Sequence, residues 1–222
     1  MNDQSPTNLV VVIGTGTEVG KTWVAAGALA ALRSEGLTVA ARKPAQSFAP
    51  DDATTDADVL AAATGEEPAA VCPPHRWYEV PMAPPMAAEA LGRPAFTIAD
   101  LVDEIRWPEG TEVGVVETAG GVRSPLASDD HGDAVTLIAA LVPNVVVIVA
   151  DAGLGTINEV RLTVTAIEPV LERREAVDLV VIVNRFDAAT ELHRRNLAWL
   201  RDHDGLTVVA SIAELLATLR PA

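Results

Sequence analysis

The sequence predicts an α/β fold in which a mostly parallel central sheet is covered by helices on both faces. Short runs of β-branched residues, such as 9–13 and 145–149, alternate along the chain with longer amphipathic stretches. This alternation is typical of parallel strands joined by crossover helices. Because 222 residues, 49% of them hydrophobic, can bury one full core, we expect a single domain over residues 1–222, with a flexible N-terminus at residues 1–7.

Glycines, prolines and capping residues set the boundaries of the predicted elements. Gly36 ends the first helix, whose inward residues are predicted to be Trp23, Val24, Ala28 and Leu32. Dense prolines exclude a central strand at residues 78–85. The predicted strands are 9–13, 38–42, 113–116, 145–149, 179–183 and 206–210, and the predicted helices are 21–35, 56–65, 86–91, 97–107, 133–141, 158–171, 190–202 and 212–219.

A glycine-rich loop at residues 14–22, Gly-Thr-Gly-Thr-Glu-Val-Gly-Lys-Thr, joins the first strand to the first helix. Glycines let backbone N–H groups point inward, the helix start adds partial positive charge, and Lys21 adds a full one. Such a loop holds a polyphosphate, and Thr22 can offer a hydroxyl to the accompanying magnesium ion. The spacing differs by one residue from the common P-loop pattern, and it excludes the dinucleotide pattern. We therefore predict a P-loop three-layer αβα sandwich. The alternative is an ordinary strand-to-helix turn.

Polar residues also stand where later strands end or helices begin, namely Lys43, Asp56, Glu117 and Asn184. Ligands collect beyond the carboxyl ends of parallel strands. Glu117, between an apolar strand and a glycine turn, is placed like the acid that holds magnesium in P-loop enzymes. Asn184 can read a base edge with a paired donor and acceptor. The alternatives are an exposed lysine, a helix-capping aspartate and a solvated loop glutamate.

The composition excludes several classes of function. Lys and Arg number 16 against 31 Asp and Glu, giving a net charge of −15 without a basic cluster, so nucleic acid is not an expected partner. Cys72 is the single cysteine, which excludes an intramolecular disulfide and favours a cytoplasmic location. The four histidines show no metal-ligand spacing. No segment has the length of a membrane span, so no membrane partner is expected.

Several motifs, taken together, resemble those of the dethiobiotin synthetases over most of the chain. Besides the loop at 14–22 they are RKPAQS at 42–47, TDA at 55–57, VETAGG at 116–121, LGTIN at 154–158 and VNRF at 183–186. The resemblance implies an ATP-dependent homodimer that acts on 7,8-diaminononanoate and CO2 or bicarbonate. One amine takes up CO2 as a carbamate, which attacks the γ-phosphoryl group of MgATP. The second amine then closes a cyclic urea and releases phosphate.

The resemblance also implies a role for each matching residue. Lys43 would lie against the carbamate and the transferring phosphoryl group, with Lys21 as the second catalytic lysine. Thr22, Asp56 and Glu117 would hold Mg2+, and Asn184 would read adenine. The implied nucleotide-binding residues are Thr17, Glu18, Val19, Gly20, Lys21, Thr22, Asp56, Glu117, Thr118, Ala119, Gly120, Asn184 and Arg185. Ser47, Thr17 and Glu18 would line the diamine site, and Gly155, Thr156, Ile157 and Asn158 of the partner chain would receive the distal carboxylate.

Four positions depart from the pattern of that family. Gly16 stands in place of Asp, Phe48 follows Ser47 in place of Gly, Thr118 adds a hydroxyl beside the phosphates, and residues 210–213 lack a Pro. These changes leave open a divergent P-loop paralogue with another substrate. An alternative of a different class is a nucleotide switch that binds partners, as partition ATPases do. Those proteins carry an extra Lys at the start of the P-loop, which this chain lacks.

Overall fold

A six-stranded parallel sheet forms the centre of the computed structural model, which describes residues 5–173 and 177–220. The strands in chain order are β1 (Asn8–Gly14), β2 (Val39–Arg42), β3 (Gln46–Ser47), β4 (Trp77–Tyr78), β5 (Val113–Glu117), β6 (Val145–Asp151), β7 (Asp178–Asn184) and β8 (Val208–Val209). The main sheet has the order β2-β5-β1-β6-β7-β8, and every pair in it is parallel. β3 and β4 form a separate two-stranded sheet. The predicted α/β fold is thus confirmed.

Helices occupy most of the connections between these strands. They are α1 (Lys21–Ser34), α2 (Asp56–Thr64), α3 (Pro68–Val71), α4 (Pro84–Ala90), α5 (Ile98–Glu104), α6 (Ala134–Leu141), α7 (Thr156–Leu171), α8 (Glu191–Asp202) and α9 (Ile212–Leu219). Capping boxes begin two of them, Thr55 with Asp58 at α2 and Thr97 with Asp100 at α5. Each box satisfies backbone N–H groups that the first helical turn leaves without partners.

Two hydrophobic cores lie on the two faces of the main sheet. Side chains alternate along β1, so Val10 and Val12 pack into one core while Val11 and Ile13 pack into the other. The first core includes residues of α1, α2 and α9, and the second includes residues of α4 to α8. Strands buried on both faces explain the continuous apolar runs in the sequence. The helical layers leave the carboxyl ends of the strands free to build a site.

The structure corrects one prediction for α1 and adds elements that the sequence pattern did not indicate. Val24, Ala28 and Leu32 are buried as predicted, whereas Trp23 is 62% exposed. Small buried residues such as Ala25 already fill the inward face of this helix, so its pattern did not define one apolar stripe. The two-residue strands β3 and β4 and the four-residue helix α3 are too short to give a periodic signal.

The outer edge of the sheet, along β2, is covered by side-chain and loop atoms. The backbone N–H of Ala41 donates to Glu66 Oε2 at 2.9 Å, and Arg42 Nη1 pairs with Glu66 Oε1 at 2.7 Å. Just beyond the strand, the backbone N–H of Lys43 donates to the Val71 carbonyl at 2.9 Å. These contacts satisfy backbone donors that an edge strand would otherwise present to solvent.

The predicted flexible N-terminus falls partly outside the described residues, since residues 1–4 are not among them. Pro6 is buried, and the backbone N–H of Thr7 donates to the Thr111 carbonyl at 3.2 Å. Among the described helices, none combines the length and the apolar character that crossing a bilayer requires.

Candidate nucleotide and metal site

The loop between β1 and α1 is held in a conformation that only glycine adopts easily at Gly20. This residue has φ +92°, and a Cβ added to it would lie 2.2 Å from Asn184 Nδ2. Lys21 is 7% exposed, and its Nζ donates to the Gly16 carbonyl at 3.1 Å. The loop therefore folds back over the Lys21 ammonium group. Val19 beneath it is buried, whereas Thr17 and Glu18 at the tip are exposed.

Four of the predicted residues meet beside this loop, although they come from distant parts of the chain. Lys43 Nζ lies 2.6 Å from Asp56 Oδ2 and 2.6 Å from Glu117 Oε1. Thr22 Oγ1 lies 2.8 Å from Asp56 Oδ1 and 2.8 Å from Glu117 Oε1. Lys43 is 2% exposed and Glu117 has no exposed surface, so these two form a buried ion pair. Thr22 is half-buried and the Asp56 side chain is 42% exposed, so they form the side of the network nearer to solvent.

Burial and mutual charge shift the pKa values in this cluster. Burial, assisted by the nearby Lys43, lowers the pKa of Lys21 to about 8. Burial also opposes the charged form of Lys43, but Glu117 and Asp56 outweigh it and raise the Lys43 pKa. Burial raises the pKa of Glu117, whereas at Asp56 the Lys43 ammonium group outweighs burial and lowers the pKa. Lys43 is therefore the firmly charged member of the network.

The oxygen atoms of this cluster fit a magnesium ion. Glu117 Oε2 is buried and makes no hydrogen bond within the described part of the chain. Together with Asp56 and the Thr22 hydroxyl it forms the hard oxygen donor set that Mg2+ prefers. Residues 5–173 and 177–220 contain no cluster of three or more His, Cys, Asp and Glu suited to a metal. A site with two carboxylates agrees with a metal that also takes oxygens from phosphates and water.

The loop after β5 brings backbone atoms to the cluster and turns the Thr118 side chain away from it. Thr118 is fully buried, and its Oγ1 and its backbone N–H both donate to the Val12 carbonyl, at 3.4 and 3.0 Å. Its own carbonyl accepts from Lys43 Nζ at 3.3 Å. Gly120 has φ +67°, and a Cβ on Gly121 would lie 3.3 Å from the Thr15 carbonyl. The loop is thus packed directly against the glycine loop, with Ala119 at its bend.

Asn184 and Arg185, at the end of β7, are tied to the glycine loop. Asn184 Nδ2 donates to the Val19 carbonyl at 2.9 Å, and Arg185 Nη2 donates to the Glu18 carbonyl at 2.7 Å. Arg185 Nη1 also donates to Asp151 Oδ2 at 2.9 Å. These bonds connect the ends of β6 and β7 to the loop after β1. Asp151 was not singled out by the sequence, although its place at a strand end was a signal.

Gln46 is a second residue that the sequence reasoning left without a role. Its Oε1 accepts from the backbone N–H of Ala57 at 3.0 Å, and its Nε2 donates to Thr55 Oγ1 at 3.3 Å. Gln46 therefore fixes the start of α2, which carries Asp56. The signal was its position within the 42–47 motif. Ser47, predicted to line the substrate site, donates to the Met82 carbonyl.

The glycine turn before α7 lies near the same loop. Thr15 Oγ1 donates to Glu159 Oε2 at 3.3 Å, and Gly155 has the left-handed φ of +98°. Thr156 is 2% exposed, and its Oγ1 is buried without a hydrogen-bond partner in the described part of the chain. Ile157 is half-buried and Asn158 is exposed. The turn therefore offers helix N–H groups and one unpartnered hydroxyl beside the site.

Comparison with protein families matches residues 8–222 to a family described as an AAA domain. The chain is 37% identical over 199 residues to the ATP-dependent dethiobiotin synthetase BioD of Haloferax mediterranei, covering 89% of this chain and 80% of that protein. It is also 37% identical over 206 residues to the protein of the same name from Anaeromyxobacter dehalogenans, with 89% and 87% covered. A third protein of that name, from Caulobacter vibrioides, is 37% identical over 182 residues, with 80% of each chain covered.

Solved structures with low sequence identity share the fold. A plasmid partition protein from Borrelia burgdorferi superposes with a TM-score of 0.52 at 11% identity, covering 97% of this chain and 96% of that one. The signal recognition particle receptor FtsY from Elizabethkingia anophelis gives a TM-score of 0.51 at 16% identity, covering 98% of this chain and 63% of that one. At these identities the likeness shows the fold alone.

Proposed function

The chain belongs to the ATP-dependent dethiobiotin synthetase family, and we propose that it closes the ureido ring of dethiobiotin from 7,8-diaminononanoate and CO2. The enzyme would be a carbon–nitrogen ligase that converts ATP to ADP and phosphate. The observation that carries this proposal is the cluster in which Lys43, directly after β2, meets Thr22, Asp56 and Glu117. Buried Lys21, at the start of α1, is close enough for the charge of Lys43 to lower its pKa.

The proposed reaction has three steps, and the phosphoryl transfer among them needs positive charge. One amine of the diamine adds CO2 and loses a proton, which gives a carbamate anion. A carbamate oxygen attacks the γ-phosphorus of ATP, the bond to the bridging oxygen breaks, and ADP leaves. The second amine then attacks the carbonyl carbon of the mixed anhydride, loses its proton and releases phosphate. In the phosphoryl transfer an anion, the carbamate, approaches a polyanion, ATP, so fixed cations stabilise the transition state.

Lys21 and Lys43 are the residues that we propose for this role. The carbonyl contact of Lys21 holds its ammonium group inside the glycine loop. Lys43 is anchored by two carboxylates, and the raised pKa keeps it charged at neutral pH. Mg2+ bound by Thr22, Asp56 and Glu117 would supply further neutralisation of the phosphates. The unpartnered Oε2 of Glu117 supports that assignment.

We propose that the base of ATP lies beside Asn184 and Arg185. One amide hydrogen of Asn184 is used by the Val19 carbonyl. Since an amide carries two N–H hydrogens and a carbonyl oxygen, donor and acceptor capacity remains for an adenine edge. Arg185 braces the loop through Glu18 and Asp151. The phosphates would be surrounded by the backbone of residues 17–22 and of Thr118, Ala119 and Gly120.

The diamine is proposed to lie near Thr17, Glu18 and Ser47. Its distal carboxylate would be received by Gly155, Thr156, Ile157 and Asn158 of a second copy in a homodimer. The buried Thr156 hydroxyl without a partner, at the start of a 16-residue helix, supports an anion at that turn. A cytoplasmic location stays a prediction, as does the single domain.

One assay tests the proposed function. Purified protein is incubated with 7,8-diaminononanoate, bicarbonate and MgATP, and ADP and dethiobiotin are quantified together. We expect equal amounts of the two products and neither of them when the diamine or bicarbonate is omitted. ATP turnover without the diamine would instead indicate a paralogue with another substrate. Nucleotide binding without turnover would indicate a switch, and sedimentation velocity tests the homodimer.

A further inference from the structure

The indole of Trp23 is a large apolar group in an unusual place. It directly follows Lys21 and Thr22 at the start of α1, and it is 62% exposed. Within the described part of the chain it makes no hydrogen bond, and no ring or cation contact involves it. An indole has an N–H donor and a flat apolar face, and neither is used here.

Two glycines on the same side of α1 locate this indole relative to its neighbours. Gly20 touches the side chain of Asn184, since an added Cβ would lie 2.2 Å from Nδ2. Gly27 touches Ile212, at the start of α9, where an added Cβ would lie 2.4 Å from Cδ1. Trp23 stands between them on the helix, about 40° around the axis and about 6 Å along it from Gly27. On the surface of α1, Trp23 therefore lies between the position next to Asn184, at the end of β7, and the position next to Ile212, at the start of α9.

The tilt of side chains on an α-helix indicates on which side of its Cα atom the Trp23 indole lies. The Cα–Cβ bonds of a helix tilt toward its N-terminus, so a long side chain covers the turn that precedes its own Cα. For Trp23 that turn begins at Gly20, whose carbonyl accepts the first helical hydrogen bond from Val24 at 3.0 Å. From this general tilt we expect the indole to lean toward Asn184 and the glycine loop, away from Gly27.

We propose that Trp23 packs its indole face against the base of the bound nucleotide and so contributes to nucleotide affinity. This inference rests on the proposed nucleotide site, in which Asn184 contacts the base edge. A flat ring beside an amide that reads the edge gives a base both an apolar face and a polar partner. The part of the nucleotide that lies against Trp23 is the heteroaromatic base, because the phosphate chain has no flat surface on which an indole could stack.

The experiment compares two ligands that differ by the base and ribose. Isothermal titration calorimetry measures the binding of MgATP and of magnesium tripolyphosphate to the wild-type protein and to Trp23→Ala and Trp23→Phe. We expect Trp23→Ala to weaken MgATP binding about tenfold, as is typical of one lost base–aromatic stack, and to leave tripolyphosphate binding unchanged. Trp23→Phe should recover most of the affinity. Trp199→Ala, which removes another exposed indole, 43% exposed on α8, is the matched control and should bind both ligands like wild type.

A second readout separates contact from a general loss of structure. ATP should quench tryptophan fluorescence in the wild type and much less in Trp23→Phe, and thermal melting should show that the variants are folded. Equal weakening of both ligands, or unchanged MgATP affinity in Trp23→Ala, would overturn the inference. If a Trp23 variant changed the sedimentation coefficient but not the affinity for MgATP, the indole would belong to a subunit contact, and the inference would be overturned as well. MgATP binding without dethiobiotin formation would remove the proposed function alone.

Discussion

Replacing Lys43 by methionine tests whether its ammonium group balances the two acids of the site. Lys43 Nζ lies 2.6 Å from Glu117 Oε1 and 2.6 Å from Asp56 Oδ2. Methionine keeps most of the volume and removes the charge. Breaking a buried pair by removing one partner destabilises proteins by about 3–5 kcal/mol, because a buried charge is left uncompensated. Since the Asp56 side chain is 42% exposed and can stay hydrated, we expect the lower part of this range, about 3 kcal/mol.

Urea unfolding followed by circular dichroism, without nucleotide or magnesium, measures this loss. For a chain of this size, a loss of about 3 kcal/mol corresponds to a melting temperature lower by about 6–12 °C. The double variant Lys43→Met with Glu117→Gln removes the uncompensated charge, and it should regain about 2 kcal/mol through the coupling between the two sites. Lys21→Met is the matched control. Lys21 forms no ion pair within 4.0 Å in the described part of the chain, and it donates one hydrogen bond to a carbonyl.

The free energies of unfolding of these variants show whether charge balance stabilises the cluster. Lys21→Met should lower the free energy of unfolding by only about 1 kcal/mol, the usual net contribution of one hydrogen bond. If Lys43→Met were as stable as Lys21→Met, charge balance would not hold the cluster together. The same conclusion would follow if the double variant were no more stable than the single one. In either case the reasoning from burial and distance would be refuted.

Three further predictions concern the loop, an ion pair and the cysteine. Gly20→Ala should weaken ATP binding, measured by calorimetry, at least about tenfold. The added Cβ would lie 2.2 Å from Asn184 Nδ2, and the residue has φ +92°, which alanine adopts only with strain. Unchanged affinity would contradict the tight contact between Gly20 and Asn184. Burial favours a higher pKa for Glu104, but the Arg76 guanidinium 2.7 Å away outweighs it and lowers the pKa. Glu104→Gln should therefore lower the free energy of unfolding by about 1 kcal/mol at neutral pH. This difference from the wild type should disappear as the pH falls from about 4.3 through the lower pKa of Glu104 in the folded protein. A decrease that does not depend on pH would exclude the ion pair as its source. Burial raises the pKa of the Cys72 thiol to about 12, so mass spectrometry should find it alkylated by iodoacetamide only after unfolding, and labelling of the native protein would show that the thiol is accessible.

The parts of the fold that could be predicted from sequence depend on contiguous signals. The apolar strands are buried on both faces, and Gly20, Lys21 and Thr22 are adjacent in the chain, so pattern and spacing were sufficient there. The positions of Lys43 and Glu117 at strand ends were also visible. Because parallel strands direct their carboxyl ends to one edge, the convergence of these residues followed from topology.

Contacts between distant residues could not be predicted in the same way. The ion pairs of Lys43 depend on how α2 is set against β5, and the sequence contains no short-range signal for that geometry. Thr118 looked like an obstacle beside the phosphates, yet its hydroxyl turns to the Val12 carbonyl because the β1 backbone lies next to it. Trp23 was wrongly predicted to be inward. An alanine-rich helix can bury several faces, so periodicity alone did not choose among them.

The covered margin of β2 limits how copies of this protein can join. A bare strand at the rim of a sheet invites a strand from another molecule to add on, which leads to continuous ribbons and fibres. Here the donors of Ala41 and Lys43 already bond to Glu66 and Val71, and the opposite rim, β8, has only two residues. Open-ended polymerisation through the sheet is thus disfavoured, and assembly would have to use helices and turns, surfaces that can close into a finite particle.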